Sequence, residues 1–270
     1  CWVLGTVLIA VGILATVSCL REPIGVYDEG ILLTNTQLLM TGRVPYRDFY
    51  TNYPPGVYWL LATLWKVFGI SPLVERALGL AVHLALGLGA GMLAGRMLGR
   101  RVSWATIGVV LVWLVPLETV PYAWLIALVA AVAFCELCLR AKAQPALRHW
   151  FCAGVALGLV GCFRHDLFIY LVLALGAWAS LAWVAGGPSR RALPSFRECL
   201  WVGAGAMLPL ITLWGPTLAL APFGQIVDDL YRDQVRFVMP ARTLPLPPLL
   251  RLVDTGSLPF RVPAFLASSW

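Results

Sequence analysis

Two adjacent carboxylates, Asp28-Glu29, stand just beyond the first apolar stretch and begin a polar segment that ends at Tyr53-Pro54-Pro55-Gly56. Charged side chains close to lipid are costly and usually have a function. A carboxylate in such a position can remove the proton of a hydroxyl or amine nucleophile. The pair is therefore a candidate catalytic site, and the competing interpretation is interfacial charge at the start of a helix.

A second candidate is the triplet Arg164-His165-Asp166, which interrupts the apolar run at residues 151–185. That run is too long for one crossing of a bilayer, so it predicts two helices that meet at a tight turn. Arg164 could bind a phosphate, and Asp166 could orient it or bind a sugar hydroxyl. Alternatively, the two side chains only pair with each other at the membrane surface.

Composition predicts the setting of both motifs. The chain is 60% hydrophobic and 12% charged, with a mean hydropathy of +0.82, whereas soluble domains carry about 25% charged residues. We predict an all-α polytopic membrane protein, and basic loops explain the net charge of +7 without a nucleic-acid partner. We place about seven crossings at residues 2–20, 73–95, 102–117, 121–139, 149–163, 167–185 and 199–221.

Basic residues predict the orientation, because cytoplasmic loops are enriched in lysine and arginine. The cytoplasmic loops would be 96–101, 140–148 and 190–197, and residues 21–72 and the tail from Pro222 would lie outside. All seven aspartates then fall on the outer side, which favours an outer cavity lined by carboxylates over chance or solvated loops. These aspartates are Asp28, Asp48, Asp166, Asp228, Asp229, Asp233 and Asp254.

Residues 57–70 are too short to span and carry aromatic side chains and a lysine, so they predict an amphipathic helix on the outer surface, beginning at Pro54-Pro55. Gly87, Gly91 and Gly95 recur every fourth residue and predict close helix packing. Cys135 and Cys138 lack a second ligand pair, and we expect no metal and no cofactor. Since the chain begins at Cys1 and stops at Trp270, we interpret it as a fragment of a longer protein.

The polar segment resembles membrane-embedded glycosyltransferases that use polyprenyl-phosphate sugars. This superfamily contains protein O-mannosyltransferases and lipid A aminoarabinose transferases, and the similarity is greatest to bacterial family 39-like glycosyltransferases. The residues that carry the resemblance are Asp28-Glu29-Gly30, Gly42-Arg43-Val44-Pro45-Tyr46-Arg47-Asp48-Phe49, Pro54-Pro55-Gly56-Val57-Tyr58, Phe68-Gly69-Ile70-Ser71 and Arg76.

The resemblance implies that Asp28, with Glu29 beside it, is the catalytic base, and that transfer inverts the anomeric centre. Some relatives have a second acid in the turn that here contains Glu118. Tyr53 stands where the aminoarabinose-transferring relatives have a lysine in contact with the lipid phosphate. The full set of expected substrate-binding residues is Tyr46, Arg47, Asp48, Tyr53, Arg76, Glu118, Arg164, His165 and Asp166.

The resemblance thus implies a polyprenyl-phosphate-linked sugar donor, a protein, lipid or glycan acceptor, and a site on the outer face of a bacterial inner membrane. A transporter or lipid flippase is the alternative, since such proteins place ionisable residues near the midplane of the bilayer. A non-catalytic relative within an assembly would instead have Asp28 directed at lipid or protein.

Overall fold

The computed structural model describes residues 2–21, 24–25, 27–144, 146–187 and 193–238. Within these ranges the chain is helical and contains no strand. The predicted crossings correspond to α1 (Trp2–Ser18), α4 (Pro72–Leu98), α5 (Arg100–Leu114), α6 (Ala123–Ala143), α7 (Leu147–Phe163), α8 (His165–Ala185) and α9 (Phe196–Pro209). The remaining helices are α2 (Asp28–Met40), α3 (Gly56–Phe68), α10 (Gly215–Leu220) and α11 (Phe223–Val227).

Five of the described helical stretches are long and apolar enough to cross a membrane, fewer than the seven predicted. They are Pro72–Leu98, Arg100–Leu117, Ala123–Ala143, His165–Ala185 and Phe196–Leu220. α1 and α7 occupy the other two predicted places, but each has only 17 residues. The structure therefore confirms an all-α membrane-embedded protein and corrects the number of full-length spans.

Glycine patterning explains how the helices approach one another. An added Cβ atom at Gly91 of α4 would collide with Ile107 of α5. At Gly87 and Gly95 it would lie 3.0 Å from the side chains of Leu111 and Ser103. The predicted packing stripe is thereby confirmed.

A buried acid on α6 connects two of the basic loops at one end of the bundle. Glu136 accepts hydrogen bonds from Arg96 Nε at 2.7 Å and from Arg140 Nε at 2.9 Å. The loops at 96–101 and 140–148 therefore share one end of the bundle, as the charge pattern predicts.

The helix that begins with α9 changes its backbone geometry at Pro209. Pro209 lacks a backbone N–H, and the helix continues beyond it as a π-helical turn at Leu210–Trp214 before α10. The indole of Trp214 donates to the carbonyl of Gly161 at 3.3 Å, which ties this turn to α7.

α3 begins after Pro54-Pro55 as expected, with Pro55 at its N-cap. One face of the helix is buried, since Tyr58, Leu61 and Trp65 belong to the main hydrophobic core and the helix packs against α2, α4 and α7. Thr63 and Lys66 on the other side are exposed, so α3 has the two-sided character that the sequence predicts, with its apolar face buried in the protein.

Candidate active site

The two adjacent carboxylates occupy the first turn of α2, where negative charge interacts favourably with the helix dipole. Successive residues of a helix point about 100° apart, so the two side chains diverge. Asp28 is exposed, whereas only 2% of Glu29 is exposed. The two acids are adjacent in sequence, but their side chains have different surroundings in the fold.

Glu29 is held by Arg76 of α4. Its Oε1 accepts from Arg76 Nε at 2.8 Å and its Oε2 accepts from Arg76 Nη2 at 3.3 Å. The backbone N–H of Gly25 also donates to Oε2, and both side chains of the ion pair are almost fully buried. Although we predicted catalytic and substrate-binding roles for Glu29 and Arg76, the structure places them in an internal salt bridge that fixes α2 against α4.

Asp28 instead lies near the turn that precedes α6. Burial raises the pKa of the Tyr122 hydroxyl, and Asp28, Glu118 and Glu29 act in the same direction. Tyr53 contributes to that effect as well. Asp28 and Glu118, which are 90 residues apart in sequence, thus come within electrostatic range of one tyrosine.

The backbone of the Glu118 turn is strained. Glu118 has a φ of 55°, in a region that a side chain with a Cβ atom rarely adopts. It follows a short 3₁₀ turn at Val115–Leu117 and exposes its carboxylate. Gly79 of α4 makes this possible, because a Cβ atom there would collide with the carbonyl of Thr119.

The loop between α2 and α3 is closed by side chains that we predicted to bind substrate. Tyr46 is fully buried, with a φ of 67°. Its ring stacks on Trp214 at 6.0 Å between centroids, and its hydroxyl donates to the carbonyl of Tyr53 at 2.8 Å. Tyr46 therefore anchors the loop to the π-helical turn and has no exposed surface for a substrate.

Arg47 and Asp48 form an exposed ion pair at 2.9 Å in the same loop. The carboxylate also accepts from the backbone N–H of Val44 at 2.8 Å. The Arg47 guanidinium and that backbone hydrogen bond lower the pKa of Asp48 to about 2. Asp48 thus braces the turn, while Arg47 remains partly exposed.

The predicted turn at residues 164–166 is confirmed, since α7 ends at Phe163 and α8 begins at His165. Arg164 donates from Nε to Asp166 Oδ1 at 2.7 Å, as in the alternative pairing interpretation. Its guanidinium also lies over the ring of Tyr53, 5.6 Å from the centroid. His165 meets Tyr231 edge to face at 4.9 Å.

Tyr53 links the two halves of the site. Its ring contacts Arg164, and its hydroxyl lies within electrostatic range of Tyr122, around which Asp28 and Glu118 gather. Of the predicted residues, Asp28, Glu118 and Tyr53 thus lie around Tyr122. Arg164 lies over the ring of Tyr53 and is paired with Asp166.

Asp229 was predicted only as one of seven aspartates on the outer side, and it was not among the expected site residues. Only 6% of Asp229 is exposed, and its Oδ2 accepts from the backbone N–H of Thr51 at 3.4 Å. Burial raises the pKa of this carboxyl, with Asp233 and Asp228 contributing. Asp229 lies three residues after Ile226 and directly before Leu230, and both of these apolar residues are buried. A helix would place Asp229 on the same side as Ile226, and this spacing is the signal that could have revealed its inward position.

An apolar groove of about 320 Å³ runs beside the site. It is lined by Gly56, Trp59, Leu60, Thr63, Leu159, Phe163, Thr212, Leu213 and Pro216. Phe163 directly precedes Arg164, so the apolar wall ends next to a guanidinium. The Trp59 indole nitrogen in this region is buried without a hydrogen-bond partner.

No group of three or more histidine, cysteine, aspartate or glutamate side chains in the described part of the chain is arranged to hold a metal ion. Asp254 and the proline-rich stretch at 245–248, which belong to the predicted outer tail, lie outside the described residues. Comparisons with protein-family models, curated proteins and solved structures find no match for this chain.

Proposed function

We propose that this protein is a membrane-embedded glycosyltransferase that moves a sugar from a polyprenyl-phosphate donor to an acceptor hydroxyl or amine. The observation that carries the proposal is the position of an exposed acid, Asp28, within electrostatic range of Tyr122. Tyr53 acts on the same tyrosine and lies under the guanidinium of Arg164, beside an apolar groove. A lipid-phosphate sugar has the same three parts, namely an apolar chain, an anionic phosphate and a reactive anomeric carbon.

In the proposed reaction, Asp28 accepts the proton of the acceptor as its oxygen or nitrogen attacks the anomeric carbon. The bond between that carbon and the phosphate oxygen breaks, and the polyprenyl phosphate leaves with the electron pair. Arg164 lies where a cation can stabilise the departing charge. Direct displacement of this kind inverts the anomeric configuration.

The other site residues support this reaction from fixed positions. Glu118 supplies a second exposed carboxylate that can bind sugar hydroxyls, and Tyr53 positions the Arg164 guanidinium. Tyr46 and the Arg47–Asp48 pair keep the loop closed. The groove between α3, α7 and the π-helical turn offers an apolar surface for the first isoprene units.

The proposal also includes the number of membrane crossings and the orientation of the protein. In it α1 and α7 also cross the bilayer, which gives seven crossings, and the basic loops face the cytoplasm of a bacterium. The site then opens on the outer face of the inner membrane, where polyprenyl-phosphate sugars and glycan, lipid or protein acceptors are found together.

The proposal is tested with the purified protein in liposomes that contain short-chain polyprenyl-phosphate hexoses or aminoarabinose. Polyprenyl phosphate released in the presence of an acceptor panel measures turnover. Asp28→Asn keeps the side-chain shape but removes the base, so we expect turnover to fall by about 10²–10⁴-fold. Asp228→Asn, a change of an aspartate whose side chain is 43% exposed and paired with Arg232, is the control and should retain activity. Undiminished release by the Asp28→Asn protein would refute the assignment.

A transporter or flippase remains the second candidate, because α4 carries two ionisable side chains inside the protein. Glu75 and His83 are 0% and 1% exposed, and the described residues offer no donor to the Glu75 carboxylate and no partner to the His83 ring. Buried acids and histidines within membrane helices are typical of proton pathways. Lipid or solute flux through vesicles that contain the protein, without any release of polyprenyl phosphate, would favour this function.

A further inference from the structure

Glu75 is a buried acid of α4 whose carboxylate lacks a hydrogen-bond donor among the described residues. The residue is 0% exposed, and no donor group of the described residues reaches either carboxylate oxygen. A buried carboxylate without a partner costs several kcal/mol. Glu75 therefore differs from Glu29, whose two oxygens accept hydrogen bonds from Arg76 and from the backbone.

The charges around Glu75 do not balance if every group is ionised. The charged side chains that act on it are Glu29 of α2 and Arg76 of α4 itself. Glu118, in the turn after α5, acts on Arg76 from further away. The buried cluster of Glu29, Glu75 and Arg76 thus contains two acids and one guanidinium, and the guanidinium already forms a bidentate pair with Glu29.

We propose that Glu75 is a proton-binding site, in which a proton held at neutral pH neutralises the second acid of the buried cluster. The protonated carboxyl can donate its O–H to the carboxylate of Glu29, the acid that acts on Glu75 most strongly. Glu29 and Arg76 then form a neutral pair, and the cluster of Glu29, Glu75 and Arg76 carries no net charge. The inference concerns the fold and does not depend on the proposed sugar transfer.

The proton also has a mechanical consequence for the site. Glu29 is the second residue of α2, and Asp28 is the first. The contact from Glu75 to Glu29 therefore holds the helix end that carries Asp28, which makes Glu75 a positioning residue. Loss of the proton would place two carboxylates side by side and push the start of α2 away from α4.

Infrared spectroscopy of the protein in a detergent without ester groups tests the proposal directly, because a protonated carboxyl group has a C=O stretching band that a carboxylate lacks. We expect this band in the wild-type protein at neutral pH and its loss in Glu75→Gln. Glu136→Gln removes a buried acid that is paired with two arginines, and it should leave the band unchanged. A wild-type spectrum without the band, or a band that survives in Glu75→Gln, would overturn the proposal.

Thermal stability of the wild-type protein gives an independent test that needs no variant. The folded chain keeps the proton on Glu75, whereas the unfolded chain releases it above the ordinary carboxyl pKa of about 4.3. Rising pH therefore favours the unfolded state. We expect the melting temperature to fall by several degrees as the pH rises from neutral into the alkaline range.

The Glu75→Gln protein, whose amide can donate to Glu29 without titrating, should show a flatter pH profile than the wild type over the same range. A wild-type profile as flat as that of Glu75→Gln would contradict the inference. A melting temperature that depends on sodium or lithium concentration and not on pH would replace the proton with a bound cation.

Discussion

The two ends of the helix bundle each contain a buried glutamate paired with arginine, but they balance its charge differently. Glu136 has two arginine partners whose side chains are 42% and 45% exposed. Glu29 has Arg76, which is only 5% exposed, and a second acid, Glu75, close by. At the first end excess charge reaches water, whereas at the second it must be neutralised inside the protein.

The two ion pairs should therefore differ in how much stability is lost when one partner is removed. Arginines that reach water remain solvated when their partner is removed, so their pair contributes little to stability. A sequestered pair becomes costly when one member is lost, because the other stays buried and charged. The acid-rich end is therefore the part of the molecule most sensitive to single substitutions.

The largest effect is expected for Arg76→Met. The substitution leaves Glu29 buried beside Glu75 without its guanidinium, and we expect a loss of about 3–5 kcal/mol in the free energy of unfolding. Arg96→Met is the matched change at the other end, where Arg140 still neutralises Glu136, and it should cost about 0–1 kcal/mol. Denaturation in detergent measures both, and equal losses would remove the distinction between the two ends.

A smaller effect is expected from Gly79→Ala, which fills the space that the carbonyl of Thr119 occupies. Overpacking of this kind costs about 1–3 kcal/mol, and it should also displace Glu118 and reduce sugar transfer. Gly95→Ala, near the basic end of the same helix, meets only the side chain of Ser103 at 3.0 Å. Its stability and activity should stay close to those of the wild-type protein, and a larger loss than in Gly79→Ala would contradict the packing argument.

The smallest effect concerns acid sensitivity. The pKa of Asp48 is lowered to about 2 by Arg47, against about 3.9 in an unfolded chain. Its stabilising contribution is therefore complete above pH ~4 and is lost as the pH falls toward about 2. This sign is opposite to that expected for Glu75. A slightly shallower acid limb of the stability profile in Asp48→Asn would confirm the assignment, and an unchanged limb would contradict it.

Several features of the fold could be predicted because they depend on short stretches of sequence. The break at Arg164 follows from a charged triplet within a run too long for one crossing, and the start of α3 follows from Pro54-Pro55. The packing of Gly91 follows from its four-residue spacing. In each case the deciding physics lies within a few residues.

The division of roles between Asp28 and Glu29 could not be predicted in this way. Both residues lie in one helical turn, and only the position of α4 decides which of them is buried. Arg76 is 47 residues from Glu29 along the chain. Similarly, the sequence around Tyr46 indicates an aromatic side chain in a loop that could face a substrate. Its burial depends on stacking against Trp214, which is far away in sequence.

The contact between α7 and α9 has a consequence for how the groove can open. Gly154, Gly158 and Gly205 bring the two backbones so close that a Cβ atom at any of them would overlap the neighbouring helix. Two walls of the groove, at Leu159–Phe163 and Thr212–Pro216, are thus extensions of one rigid body. A bulky ligand can therefore gain room in the groove only if α3 moves. Cross-linking α3 to α7 should restrict the groove to ligands with a narrow hydrocarbon chain.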